Sequence, residues 1–469
     1  MDQTRSNSNL TIAVACLATS MLMLDISVVN TALSDIADGL DTGLSGLQWV
    51  VDAYTIPLAA TVLTAGAIAD RFGRRRLFAL GLGLFTAMSA LCGAAGGIEV
   101  LVGSRALQGL GASMMFATAL ALISQVTPKP EDRVKALAAY GAAIGASFAL
   151  GPFVGGSLTE LFGWRAIFLI NVPIGAVALW ITYRFVAEGK DPTPRRVDVP
   201  GQLTLIGGLF LLVLALLRGN EEGWGSAGIV ASLAGAAAFL IAFVVIEARS
   251  REPMLPLRLF RERPFAGAQV AVFAISASFF AVFFYVTLYL QTVLGMSPIE
   301  TGLVYLPGTF LVFAVSGATA QLGADASPAK IASLGLVLIG IGLALMLLVE
   351  VDSSWTVLLP GLLMASAGTG LFNPTASALA LNALPAEQSG LAAGANDTFR
   401  QTGVAVGIAA LGTFVPAEAA LGGNLQSYVD GLHNALIVCS VIALVGAMVT
   451  AWLLIPRRQP QTAASGQVR

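Results

Sequence analysis

Charge is scarce in this sequence. Lysine, arginine, aspartate and glutamate make up 11% of its 469 residues, against about 25% in a soluble domain. So few charges cannot cover the two or three cores that a soluble chain of this length would bury, and the solvent must be mostly lipid. Histidine is nearly missing: the single His433 excludes a His-rich metal site, and no metal is expected. It also leaves an integral membrane enzyme without a base for a nucleophile, so no enzyme is expected. Cys16, Cys92 and Cys439 each lie inside an apolar run, none at metal-ligand or redox spacing. They read as small packing residues. The net charge of −2 gives no electrostatic case for nucleic acid. No Gly-x-x-x-x-Gly-Lys-Ser/Thr stretch occurs, which argues against a nucleotide-driven pump. No cofactor is expected, leaving a proton gradient as the energy source. A cleavable signal is not expected either, because the first apolar run continues to about residue 33.

Apolar residues are abundant: the hydrophobic fraction is 56% and the mean hydropathy +0.82. A bilayer core needs about 20 apolar residues as helix. Fourteen such runs can be drawn, at 10–33, 47–69, 77–97, 100–123, 134–156, 164–186, 201–217, 226–246, 264–290, 299–322, 329–349, 354–381, 396–417 and 432–455. The seventh is short. If the N-terminus is cytoplasmic, 22 of the 25 basic residues fall on the cytoplasmic side, leaving Arg105, Arg165 and Arg218. The positive-inside rule therefore supports an even count with both termini inside the cell membrane.

Span 4 carries Gly109-Leu110-Gly111 and, ten residues from its first glycine, Ala119-Leu120-Ala121-Leu122. Span 12 repeats this with Gly368-Thr369-Gly370 and Ala378-Leu379-Ala380-Leu381. Both runs precede a proline-containing acidic turn, the second at Leu384-Pro385-Ala386-Glu387. Span 12 is the fourth of a second set of six if spans 7 and 8 are an insertion. The expected organisation is a six-helix bundle over 10–186, polar linkers with an inserted helix pair over 187–263, and a second bundle over 264–455.

Several polar stretches interrupt this background. After span 2 comes Gly66-Ala67-Ile68-Ala69-Asp70-Arg71-Phe72-Gly73-Arg74-Arg75-Arg76. Asp70 and Arg74 are four apart, suited to an ion pair on a helix. A plain basic anchor would explain the arginines alone but not Gly66, Asp70 and Gly73. The loop 322–330, Leu322 to Lys330, is a degraded copy with one lysine. Asp25 lies within span 1. A carboxylate inside the bilayer is costly, and such a group can take up a proton on one side and release it on the other. Asp52, in Trp49-Val50-Val51-Asp52, reads as the start of span 2, where an acid also suits the helix dipole. Arg105 needs an anionic partner in the membrane. Asp25 and Asp52 are both available, and the sequence does not choose between them. Gln108 shares the Arg105 face. Span 5 is dense in glycine, with Gly141 and Gly145, then Gly151, Pro152, Gly155 and Gly156. The Gly-x-x-x-Gly spacings permit close helix approach, and Pro152 bends the helix. Phe284, Tyr285 and Tyr289 of span 9 could line a greasy cavity, or face lipid. Asp397 reads as a helix-start aspartate.

Together these stretches resemble the signature motifs of the major facilitator superfamily. They comprise the 66–76 turn, Leu24-Asp25 through Asn30 to Leu33, Arg105 through Gln108-Gly109 to Gly111, Gly151-Pro152 to Gly156, Trp164-Arg165 through Asn171 to Gly175, and Arg400-Gln401-Thr402-Gly403. Within that superfamily the set is similar to the 14-helix drug:proton antiporters, exporters of the methylenomycin-resistance type among them. The resemblance implies an all-α membrane fold of two six-helix bundles plus two inserted helices. It implies export of small hydrophobic or cationic drugs in exchange for protons by alternating access. Its site residues would be Asp25, Asp52 and Arg105 for proton coupling, and Asn30, Gln108, Phe284, Tyr285 and Tyr289 for the cavity. Gly66, Asp70, Arg71, Gly73 and Arg74 would form a cytoplasmic latch, and Gly151, Pro152, Gly155 and Gly156 the antiporter motif that seals the cavity against leak. Partners would be the small-molecule substrate, protons and the lipid bilayer, with the chain a monomer. The alternatives are a proton–solute importer, or a membrane scaffold or sensor that transports nothing.

Overall fold

The computed structural model describes residues 2–190, 197–321, 327–382 and 389–454. Most of the 322–330 loop, the 383–388 turn, and Arg195, Arg196, Arg457, Arg458 and Arg469 lie outside the described residues. Among the described residues every regular element is a helix. In chain order they are α1 (Asp2–Thr31), α2 (Leu33–Leu40), α3 (Leu44–Phe72), α4 (Arg74–Gly93), α5 (Ile98–Val126), α6 (Pro130–Phe162), α7 (Ala166–Leu169), α8 (Asn171–Phe185), α9 (Val199–Glu222), α10 (Ala227–Arg249), α11 (Arg263–Ile275), α12 (Ala281–Leu288), α13 (Pro298–Gln321), α14 (Pro328–Leu345), α15 (Leu359–Asn382), α16 (Ser389–Gly412) and α17 (Leu425–Leu454). One π turn, Ser276–Phe280, joins α11 to α12, and another, Tyr289–Val293, follows α12.

Each of the fourteen apolar runs is helical, but not all meet the length and apolarity a bilayer asks. Twelve helices do, thirteen if α6 counts as one bent span. The remaining helix, α16, carries Asn396, Asp397, Arg400 and Gln401 in its first half, which lowers its apolarity. The seventh run is not short. Its helix continues to Glu222, because Gly219, Asn220, Glu221 and Glu222 extend the rod past its apolar part. The 44° bend of α6 falls between Ser147 and Leu150. Pro152 accounts for it, since a proline ring clashes with the carbonyl four residues earlier.

Helix ends follow local chemistry. The Asp198 carboxylate accepts the Gly201 N–H at 2.8 Å and caps α9, and Ser226 caps α10 through the Ile229 N–H. Between α3 and α4 only Gly73 leaves the helix, at φ +122°, a conformation that glycine adopts without strain.

Helices α4 and α5 pack along one another, and α14 pairs with α15 in the same way. Helix α1 packs on α6, and α3 on α5. The helices α1–α8 and α11–α17 meet along two seams, α3 against α16 and α6 against α13. Helices α9 and α10 pair with each other, and α9 also covers the α3/α16 seam. There Ile56, Ala60, Leu205, Leu209, Ala405 and Ala409 share one apolar cluster.

Candidate functional site

The end of the molecule bearing the 66–76 segment is called here the basic-turn end, and the other the far end. Asp25 lies six residues before the end of α1, Asp52 eight residues into α3 and Arg105 seven residues into α5. At 1.5 Å per residue all three sit about 9–12 Å from the far end of their helices.

The structure gives Arg105 to Asp25. Its Nη1 donates to Asp25 Oδ2, with both side chains essentially without solvent exposure. The guanidinium makes three further contacts. Nε donates to the Val50 carbonyl at 3.1 Å, Nη1 to Gln108 Oε1 at 2.8 Å, and the plane lies 4.2 Å from the Tyr54 ring centre. Asp25 Oδ1 accepts from Gln108 Nε2 at 3.0 Å and from Asn171 Nδ2 at 3.2 Å. Ser89 Oγ accepts from the same two amides and donates to the Phe168 carbonyl. One buried network thus ties α1, α3, α4, α5 and α8 together. Gln108, expected in the cavity, belongs to this network. Asn171 and Ser89 were not identified as partners from sequence, although the stretch around Asn171 stood out as a motif.

Asp52 does not begin a helix, because α3 starts two turns earlier at Leu44. The dipole explanation fails, since that effect fades within the first turn. Asp52 has no exposure, and neither carboxylate oxygen has a hydrogen-bond partner among the described residues. Asp397 corrects the sequence reading in the same way. It lies eight residues into α16, is 2% exposed, and neither oxygen has a hydrogen-bond partner among the described residues. Its charge lies within electrostatic reach of Tyr54 on α3 and Tyr140 on α6, across the seam. The polar break before the apolar run hid it as a helix start.

The aromatic residues of the ninth run do not line an open cavity in this structure. Phe284, Tyr285 and Tyr289 are fully buried. Tyr285 donates to the Ile408 carbonyl of α16 and accepts from Gln48 of α3. Tyr289 donates to the Glu350 carbonyl at 2.7 Å. The Tyr289 N–H bonds to the Tyr285 carbonyl, so the two rings keep their four-residue helical spacing, and the π turn begins only at Tyr289. Asn30 is half-buried and donates back to the Ile26 carbonyl of its own helix at 3.4 Å.

At the basic turn Asp70 and Arg74 form the expected ion pair, at 2.9 Å. A partner missed in the sequence is Glu188. Its Oε1 accepts the Arg75 N–H at 3.0 Å, and its carboxylate stands 3.6–3.8 Å from Arg75 and Arg76. Arg71 is exposed. Gly66 lies inside α3 rather than in a loop, and a side chain there would meet nothing within 4 Å. On α6, Gly151 faces Ser27 and Gly155 faces Val28 and Thr31 of α1, while Gly156 abuts the Pro298 carbonyl of α13. Gly302 of α13 in turn abuts the Pro152 carbonyl. Toward the basic-turn end, a Cβ at Gly141 of α6 or at Gly317 of α13 would meet nothing within 4 Å.

Residues 15–408 match the sequence profile of the Major Facilitator Superfamily. Multidrug resistance protein Stp of Mycobacterium tuberculosis is 35% identical over 455 residues, 96% of this chain and 84% of Stp. Methylenomycin A resistance protein of Streptomyces coelicolor is 31% identical, over 97% of this chain and 94% of that protein. A crystal structure of a POT family transporter in complex with 5-aminolevulinic acid shares the fold, with a TM-score of 0.69 at 14% identity over 94% of this chain and 96% of that one. With this profile match and these relatives, the chain belongs to the major facilitator superfamily.

Proposed function

We propose that the protein exports small hydrophobic or cationic drugs in exchange for protons by alternating access. The relatives named for multidrug and methylenomycin A resistance support the export direction. The observation that carries the coupling is the Asp25–Arg105 pair, a buried ion pair that joins α1 to α5. A proton on Asp25 removes the charge that holds Arg105, so proton binding changes helix packing. Asp52 and Asp397 take up protons without breaking an ion pair. They flank the α3/α16 seam, where the halves move against each other.

In this reading all fourteen helical runs cross the cell membrane, α16 included, and both termini are cytoplasmic with the basic turn. The bundles are 10–186 and 264–455, with 187–263 as linkers and inserted pair. The open space beside Gly141 and Gly317 supports a substrate path toward the cytoplasm in this state, with the far end closed. The protein works as a monomer without cofactor or metal. Drug and proton need only prefer different states, or exclude each other, for exchange to follow.

The test is transport in reconstituted liposomes under an imposed pH gradient, with a panel of cationic dyes and antibiotics. Proton movement that appears only with substrate is the expected result. Substrate movement indifferent to the gradient, or unchanged coupling in both Asp25→Asn and Asp52→Asn, refutes the mechanism.

A further inference from the structure

We infer that Gln48 and Gln291 form a reciprocal amide clasp that holds the far end shut. Gln48, on α3, reaches across the seam. Its Nε2 donates to Tyr285 Oη at 2.7 Å and to the Ile408 carbonyl of α16 at 3.3 Å. Gln291, on the π turn after α12, reaches back the other way. Its Nε2 donates to the Thr31 carbonyl at the end of α1 at 2.7 Å, and its Oε1 accepts from Ser34 Oγ of α2 at 2.9 Å. Each half therefore lends one amide to the other. Both side chains are largely buried, at 3% and 8% exposure.

The receiving surfaces are built for these amides. The Tyr285 hydroxyl is held against the Ile408 carbonyl, and the Tyr285 carbonyl accepts from Tyr428 Oη at 2.7 Å. A Cβ on Gly412 would collide with the Gln48 amide, so the missing side chain makes its seat. A clasp of neutral amides suits a door that must open every cycle. A neutral hydrogen bond biases an equilibrium only about fivefold, whereas a buried ion pair broken on one side would hold far harder. Another polar crossing at this end, the Ile299 N–H to Glu160 at 3.0 Å, is solvent-exposed. The two glutamines thus supply buried polar links there among the described residues, beside the backbone contacts of Gly156 and Gly302.

The inference rests on the alternating-access reading, and its test is independent of substrate. Spin labels at Ala94→Cys and Asp352→Cys report the separation of the far ends. Both positions are exposed, in loops leading into α5 and toward α15, and Cys16, Cys92 and Cys439 are replaced by serine. Gln48→Met and Gln291→Met keep the length of the side chain and remove its hydrogen bonds. Each removes two hydrogen bonds and is expected to raise the ratio of long to short distances by about fivefold to 25-fold, and the pair together by at least about 25-fold. Gln202→Met is the control: it removes an equally buried amide, which donates to the Ala60 carbonyl at 2.9 Å from α9 rather than across the far end. It should leave the distances unchanged. Unchanged distances in the double variant overturn the clasp, as does an equal shift in Gln202→Met. If the double variant does not fold, absence of a shift in both single variants overturns it as well. Failure of gradient-driven transport in the wild type would instead refute the efflux reading and leave these distances to be judged on their own.

Discussion

Arg105→Gln isolates the electrostatics of the buried pair. In the wild type Asp25 Oδ1 has Gln108 and Asn171 as donors, while Oδ2 is satisfied by Arg105. The substitution orphans one carboxylate oxygen and strips the charge of its counter-ion. Breaking a buried pair on one side costs about 3–5 kcal/mol. Asp25→Asn makes the converse error. Arg105 keeps the Val50 carbonyl and Gln108 as acceptors, but its buried charge is uncompensated, and a similar loss is expected. The double variant Asp25→Asn/Arg105→Gln leaves two neutral amides in a site already rich in donors and acceptors. It should return to within about 1–2 kcal/mol of the wild type. The assay is a double-mutant cycle of unfolding free energies in lipid or mild detergent. Transport is measured on the same samples. The double variant should be stable yet move substrate only downhill, because the charge that links proton to packing is gone. Strictly additive losses, or a cost below about 1 kcal/mol for Arg105→Gln, would refute the pairing as the source of stability.

Asp52→Asn should raise unfolding stability by about 1–3 kcal/mol, since it removes a buried carboxylate with no partner, and should weaken proton-driven export in the liposome assay; a loss of stability would count against an unpartnered Asp52. Gly109→Ala sets a methyl group on the Tyr54 carbonyl and should cost about 1–3 kcal/mol by overpacking, measured by thermal unfolding, whereas Gly66→Ala meets open space and should match the wild type. Asp35, on α2 outside the spans, has its carboxyl pushed up by burial and then by the Asp38 charge. The folded protein then binds that proton more tightly than the unfolded chain, so stability falls as pH rises through the carboxylate range. Asp35→Asn should therefore raise the melting temperature at neutral pH and leave it unchanged in acid below the ordinary aspartate range.

Composition and hydropathy made the helical runs and the lipid environment legible, because twenty apolar residues in a row leave few other structures open. Motif spacing carried the Asp70–Arg74 pair, and the proline of α6 carried its bend. Helix ends were less legible. Polar residues beside an apolar run look like boundaries, yet α3, α9 and α16 continue through Leu44–Asp52, Gly219–Glu222 and Ser389–Asp397. Two acids were thereby mistaken for helix starts. The partner of Arg105 was undecidable because Asp25 lies 80 positions away and Asp52 is as deep, so only packing chooses. The tyrosines were harder to read for a different reason: they keep their helical spacing, but their hydroxyls bond the Ile408 and Glu350 carbonyls, partners more than 60 positions away that no local pattern reveals.

Buried polar groups in this fold fall into two kinds, and their difference bears on mechanism. Within the first half, Asp25, Arg105, Gln108, Asn171 and Ser89 fill most of one another's valences, and low dielectric makes such a network stiff. At the α3/α16 seam, Asp52 and Asp397 have no hydrogen-bond partner among the described residues. Thr398, next to Asp397, donates to the Ala59 carbonyl at 2.9 Å, and Ala59 lies seven residues, about 10 Å, past Asp52 along α3. The two acids are therefore staggered along the surface on which the halves move. A satisfied network resists rearrangement and keeps one half rigid. An unsatisfied carboxylate favours any state that gives it a proton, a water or a cation. Placing the unsatisfied acids at the moving seam, with the satisfied ones in the rigid bundle, lets charge bias which end opens without loosening the half that bears the lever. Removing one of the unsatisfied acids tests this division. Asp397→Asn takes the charge from the seam without touching any member of the bundle network, and should slow proton-driven transport with little effect on the Asp25–Arg105 double-mutant cycle; a matching change in that cycle would mean the seam and the bundle are one network.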